Sequence, residues 1–125
     1  MDLAIVIEVP QGGTIGTIVK LSGELDVASA PDLRERLLIM LDRQAPGRVI
    51  VDLSALSFID SSGIAVLVNT ERRARLLGCA FELAAPQAVV RRVLEVCGLQ
   101  HYFVISESIA APGEGLMTGS ECAGA

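Results

Sequence analysis

The sequence predicts a mixed α/β fold in one domain: an N-terminal β-hairpin, then alternating helices and mainly parallel strands, with the helices packed on a central sheet. Three observations carry this. Short, β-branched apolar segments alternate with longer stretches of helical apolar spacing. The helical stretches carry recognisable start and stop residues. The chain has 125 residues and 51% apolar content, enough for one core without disulfides or metals. Alternating β and α units imply parallel strands joined by right-handed crossovers.

Leu3 to Val9 is apolar and β-branched, and is the first expected strand. Gln11-Gly12-Gly13 is a turn signal, and Thr14 to Leu21 the second strand, with Ile15, Thr17, Val19 and Leu21 on one face. The short Gly-bearing connection predicts the hairpin. Gly23-Glu24-Leu25-Asp26 then leads to Ser29-Ala30-Pro31-Asp32. Serine at the cap, proline in the first turn and an acid three residues past the cap predict a helix start. Leu33, Leu37, Met40 and Leu41 form its buried stripe, Arg34, Glu35 and Arg36 face water, and Pro46-Gly47 ends it.

Val49 to Leu53 is a nearly continuous apolar run, as in a strand covered on both faces. It runs into a polar loop. A second helix starts between Asp60 and Ser62 and continues to about Leu77, where Gly78 supplies the stop. Phe81 to Ala84 is the next strand. Pro86 opens a third helix with Val90, Val93, Leu94 and Cys97 on one face, closed at Gly98 with Leu99 folding back on Leu94. Phe103 to Ser106 is a short last strand. Beyond Ala110 little remains to bury, so the domain is expected over 1–109 and a flexible tail over 110–125.

Composition removes several function classes. A net charge of −5 disfavours nucleic acid, whose phosphates attract a basic face. One tyrosine, three phenylalanines and no tryptophan leave little for base stacking. No apolar run approaches the ~20 residues that span a bilayer, so no membrane insertion is expected. The opening Met-Asp-Leu-Ala-Ile-Val-Ile lacks a basic region and a cleavage pattern, so a cytoplasmic protein is expected. Cys79, Cys97 and Cys122 form no C-x-x-C pair and read as reduced thiols. His101, the sole histidine, reads as a loop or strand-edge residue. No metal, cofactor or catalytic residue is expected.

The informative stretch is Val49 to Gly63, where a buried strand leads to Asp60-Ser61-Ser62-Gly63 at a helix start. Sites of α/β folds sit at the carboxyl ends of parallel strands. The first N–H groups of a helix are unpaired and mark the positive end of its dipole, and Asp60 or Ser61 suits them as a cap. A serine here is reachable by a kinase, and Gly63 leaves room beside it. A phosphate would add roughly −1.5 to −2 charge, favoured by the helix terminus and opposed by Asp60. On these four residues alone an ordinary cap is the favoured reading of Asp-Ser-Ser-Gly, because caps prefer such residues anyway. At least one of Ile64, Ala65 and Val66 must face outward, and an exposed apolar residue suits an interface. Glu71-Arg72-Arg73-Ala74-Arg75 reads as a solvated helix face. A hydrolase with Ser62 as nucleophile lacks Gly-x-Ser-x-Gly and has only His101 as base.

Phe58-Ile59-Asp60-Ser61-Ser62-Gly63-Ile64, preceded by Val51-Asp52-Leu53-Ser54, closely resembles the signature of STAS domains, named from sulfate transporters and anti-sigma factor antagonists. The resemblance runs from about Leu3 to Ser106 and includes Gly23-Glu24-Leu25-Asp26, Arg75-Leu76-Leu77-Gly78, and Val93-Leu94 through Gly98-Leu99 and Phe103. At this length it is to stand-alone anti-sigma factor antagonists, non-enzymatic partner-switching regulators. It implies that an anti-sigma factor, itself a serine kinase, phosphorylates Ser62. The unmodified form would bind that kinase and free the sigma factor. The phosphorylated form would let go, and a serine phosphatase would reset it. Asp26, Asp60, Ser61, Gly63 and Ile64 are the implied phosphorylation-loop and partner-binding residues, and the free protein is expected to be a monomer. Ser61 and Ser54 stay open as alternative acceptors. The competing reading is a non-phosphorylated STAS scaffold subunit of a signalling or transport assembly.

Overall fold

The computed structural model describes residues 2–9, 16–44 and 46–108. Their order is β1 (Leu3–Glu8), β2 (Thr17–Leu25), α1 (Ala30–Gln44), β3 (Arg48–Ile59), α2 (Ser61–Leu76), β4 (Ala80–Ala84), α3 (Ala88–Val96) and β5 (Val104–Ser106). The strands form one five-stranded sheet in sequence order, β1-β2-β3-β4-β5. β1 runs antiparallel to β2, and the remaining pairs are parallel. The expected mixed α/β domain is therefore the observed one. Gln11-Gly12-Gly13, Cys122 and the tail at 110–125 lie outside the described residues.

Alternation explains the core. Ile7, Val19, Val51, Leu83 and Ile105 line up across the five strands, and Ile5 pairs with Leu21 in the neighbouring row. The helices add Leu33, Leu37, Met40 and Leu41 from α1, Ile64, Val66, Leu67 and Ala74 from α2, and Val90 and Leu94 from α3, forming one cluster. The stripe predicted for α1 is the stripe buried. Arg73 reaches Asp42 at 3.2 Å to tie α2 to α1. Arg75 and Tyr102 both hydrogen-bond Glu71, at 2.6 and 2.8 Å, fastening α2 to the turn before β5. The Arg75 guanidinium, then the Tyr102 hydroxyl, hold the Glu71 carboxyl below the usual carboxylate range. Part of the charged run thus joins elements rather than merely facing solvent.

Helices α2 and α3 end alike. The Gly78 and Cys79 N–H groups bond the Arg75 and Ala74 carbonyls, and those of Gly98 and Leu99 bond Glu95 and Leu94. These are two Schellman closures, and the second is the predicted one. One expectation fails here. Cys97 is exposed, because the helix closes at Val96 and leaves Cys97 as the cap rather than on the buried stripe.

The larger departure is in β3. The polar loop expected after Leu53 is strand as far as Ile59. The backbone stays paired with β2, but the register slips twice. Lys20 faces Asp52 while Ser22 faces Ala55, and Gly23 faces Leu56 while Glu24 faces Phe58. Each slip inserts one extra β3 residue, a β-bulge, and breaks the strict alternation that marks a strand in sequence. The Ser57 hydroxyl seals the second bulge by donating to the Gly23 carbonyl at 2.9 Å. Gly23 sits at φ +103°, and a Cβ there would lie 2.2 Å from the Asp2 carbonyl oxygen, so glycine is required.

Candidate functional site

The parallel pair β2–β3 brings two helix starts together. Leu25 and Ile59, the last residues of the two strands, are register partners. The Asp60 N–H donates to the Leu25 carbonyl at 3.2 Å. Asp26 and Asp60 therefore begin neighbouring loops at the carboxyl end of the sheet, where an α/β fold presents its site.

Asp60 caps α2, and Asp26 closes the turn that leads into α1. The Asp60 carboxylate accepts the N–H groups of Ser62 at 2.9 Å and Gly63 at 3.1 Å, and its carbonyl takes the first helical bond, from Ile64. Asp60→Ala is expected to lower stability by about 1 kcal/mol, as N-cap truncations do, while Asp60→Ser retains most of it; urea denaturation of the three proteins checks this.

α1 starts at Ala30, directly after Ser29 as expected, and the Ser29 carbonyl accepts the Leu33 N–H at 3.3 Å. Asp26 closes the turn ahead of it: its Oδ1 accepts from the Ala28 and Ser29 N–H groups at 3.0 and 3.1 Å, and the Ala30 N–H bonds its carbonyl at 2.8 Å. Ser29 answers from three residues on, its hydroxyl accepting the Asp26 N–H at 3.0 Å. This reciprocal pair resembles a capping box with the acid first and the hydroxyl second, and it orders the turn that leads into α1. The Ser29 N–H, the Ser29 hydroxyl and the Ala28 N–H keep the Asp26 carboxyl below its usual range, against a smaller opposing effect of desolvation. Because the folded pKa is the lower one, this stabilisation is present above the ordinary carboxylate pKa and is lost as pH falls through the lowered value.

The four signature residues divide by direction. Ser61 is exposed and Ser62 partly so, and among the described residues the Ser62 hydroxyl has no hydrogen-bond partner. Gly63 is buried: a Cβ there would stand 2.6 Å from Leu25 Cγ and 2.8 Å from Ile59 Cγ1. It is glycine so that α2 can approach β2 and β3, not to open space for another protein. Ile64, expected at the interface, is 8% exposed and belongs to the core. The apolar residue that faces out in this turn is Ala65.

Two further residues of this end went unpredicted. Phe58 is 43% exposed and Val27 71% exposed, just before Asp60 and just after Asp26. The irregular spacing Leu53, Leu56, Ile59 was the available signal for Phe58, since three-residue steps do not fit an unbroken strand. An open cavity of about 210 Å³ beside the Asp26 loop is lined by Asp2, Leu3, Asp26, Ala28, Ser29 and Asp32. His101 is exposed in the turn before β5, with no hydrogen bond to Ser62 among the described residues, and no cluster of metal-ligating side chains occurs there. No helix among the described residues is long and apolar enough to cross a membrane.

The STAS domain family pattern matches residues 6–111, nearly the whole of this architecture. The chain belongs to the STAS domain family. Its STAS sequence is 33% identical to the anti-sigma-B factor antagonist of Bacillus subtilis (strain 168) over 88 residues, 70% of this chain and 79% of that one. The crystal structure of an anti-sigma factor antagonist from Mycobacterium paratuberculosis superposes with a TM-score of 0.75 at 25% identity, covering 86% of this chain and 88% of that one. The anti-sigma factor antagonist SpoIIAA in its unphosphorylated form superposes with a TM-score of 0.70, also at 25% identity, over 82% and 87% of the two chains. The architecture these STAS proteins share is the one that sets Asp26 beside Asp60.

Proposed function

We propose that this STAS protein is an anti-sigma factor antagonist that works by partner switching at Ser62. It acts by binding and performs no chemistry of its own. In the unmodified state it holds an anti-sigma factor that is also a serine kinase, and so releases a sigma factor in the cytoplasm. The kinase places a phosphoryl group on the Ser62 hydroxyl, the complex separates, and a serine phosphatase restores the first state.

The observation that carries this reading is the Ser62 hydroxyl itself, partly exposed and without a hydrogen-bond partner among the described residues, at the start of a 16-residue helix. Asp60 satisfies the backbone N–H groups of Ser62 and Gly63, which fixes the loop and leaves Oγ free for a partner. The names of similar proteins support the class of function: the Bacillus subtilis relative is an anti-sigma-B factor antagonist, and SpoIIAA is described by its unphosphorylated form. Asp26, Asp60, Ser61 and Ser62 make up the contact surface, with Gly63 and Ile64 supporting it from the core side. Ser54 suits phosphorylation less well, because it lies along β3 rather than at a helix start.

The test is peptide mapping by mass spectrometry of the protein from its native cells, beside a Ser62→Ala variant. One phosphate on Ser62, absent from the variant, is the expected result. Phosphate on Ser61 would keep the mechanism and move the site. Its absence under all growth conditions would replace the switch with a constitutive scaffold.

A further inference from the structure

We infer that Phe58, with Val27, is the apolar anchor on which the anti-sigma partner seats, and that the second bulge of β3 serves to present it; this rests on the function proposed above. Of the chain's three phenylalanines, Phe81 and Phe103 are 6% and 4% exposed, whereas Phe58 is 43% exposed. Leaving a large aromatic half in water forgoes burial energy of roughly 25 cal/mol per Å², so its position calls for a reason.

The backbone supplies one. Leu56 and Ile59 are both buried, three residues apart, which an unbroken strand cannot achieve because facing alternates with period 2. The extra residue at Ser57 resolves this. It lets Ile59 return to the core under α2 while Phe58 turns outward. Bulges re-aim side chains at sites, and this one is reinforced by the Ser57–Gly23 hydrogen bond and by a glycine at positive φ facing it. An unbulged strand would have required one of the two apolar residues at 56 and 59 to leave the core.

The position of the anchor indicates its occupant. Phe58, in β3, is two residues before Asp60, and Val27 follows Asp26 in the adjoining loop, so two exposed apolar residues lie next to the two aspartate loops. Asp26 and Asp60 begin the two loops beside it, and Asp2 joins Asp26 around the neighbouring cavity, while Asp32 there is paired with Arg36. An aromatic within an acidic border fits an apolar pocket with a basic rim. Such anchors carry most of the energy of an interface, and charged rims mainly set its approach rate and salt dependence. The same border explains how a phosphate on Ser62 acts so strongly: it adds charge at the edge of a contact whose energy lies in apolar burial.

The experiment titrates purified serine-kinase anti-sigma factors of the source organism with the parent chain, Phe58→Ala, Phe58→Tyr and Val27→Ala by calorimetry, with thermal melts of each variant. Phe58→Ala is expected to weaken binding by about 30-fold or more, as loss of an interface hot spot does, and Val27→Ala by less. Phe58→Tyr keeps the ring and most of the affinity. Melting temperatures stay near that of the parent, since the ring is half solvated. With the same kinase, Phe58→Ala is expected to raise KM for Ser62 phosphorylation and leave kcat nearly unchanged. Equal affinity of Phe58→Ala and the parent would overturn the anchor and leave the proposed function standing. Failure of the parent to bind any of these kinases would overturn both. Self-association of the parent that Phe58→Ala abolishes, with partner affinity unchanged, would assign the patch to a second copy of this chain instead.

Discussion

Ser62→Asp is expected to lose at least about 30-fold in affinity for the anti-sigma factor while remaining as stable as the parent. Inverting a close polar contact at an interface costs 2–5 kcal/mol, and each 1.4 kcal/mol is a factor of ten. The folded chain itself accepts the change. Ser62 is the second residue of α2, where the helix dipole favours an acid by about 0.3–1 kcal/mol. Repulsion from Asp60 offsets part of that gain. The variant thus separates binding from folding: calorimetry should show the loss and urea denaturation should not. Ser62→Ala removes only the hydroxyl, so it should retain most of the affinity and resist release by the kinase with ATP. Parent-like binding by Ser62→Asp would contradict the charge switch.

Gly63→Val is expected to lower stability by about 3 kcal/mol or more, through overpacking of a filled core. Even the first added carbon would stand 2.6 Å from Leu25 Cγ and 2.8 Å from Ile59 Cγ1. These are branch atoms of buried residues at the ends of two paired strands, so neither can swing aside. Gly63→Ala gains at most ~1 kcal/mol of helix propensity against ~1–3 kcal/mol of overpacking and should be mildly destabilising. Valine adds two more carbons in the same direction. Ala65→Val, two residues on and exposed, is the control and should change stability by less than about 0.5 kcal/mol. Urea denaturation of the four proteins orders them. Because Leu25 and Ile59 carry the Asp26 and Asp60 loops, Gly63→Val should also weaken partner binding where it still folds.

The Asp-Ser-Ser-Gly segment illustrates how much of the site was legible. Asp60 as a cap follows from residue type and position, because an unpaired helix N–H needs an acceptor wherever the helix lies. The role of Gly63 did not follow, because its reason is the Leu25 and Ile59 side chains beneath it. Ile64 and Ala65 are ambiguous in sequence for a like reason: which of two adjacent apolar residues faces the sheet depends on how α2 is rotated against it. The α1 start was legible because Ser29-Ala30-Pro31-Asp32 is a good local start pattern, whereas the reciprocal Asp26–Ser29 bonds, which order the turn upstream of it, were not.

By itself the sequence determined the element order, the α1 stripe, the glycine closures of α2 and α3 and the Asp60 cap of α2. Each depends on contacts a few residues apart, where periodicity and capping chemistry act directly. Only the tertiary structure decided that β3 continues to Ile59 through two bulges, that Asp26 and Asp60 adjoin, that Gly63 and Ile64 face the core, and that Phe58 faces water. Those outcomes depend on strand register and on α2 packing against β2 and β3, residues about 38 positions apart for Leu25 and Gly63. Local propensity does not encode such a contact; the shape of the filled core does.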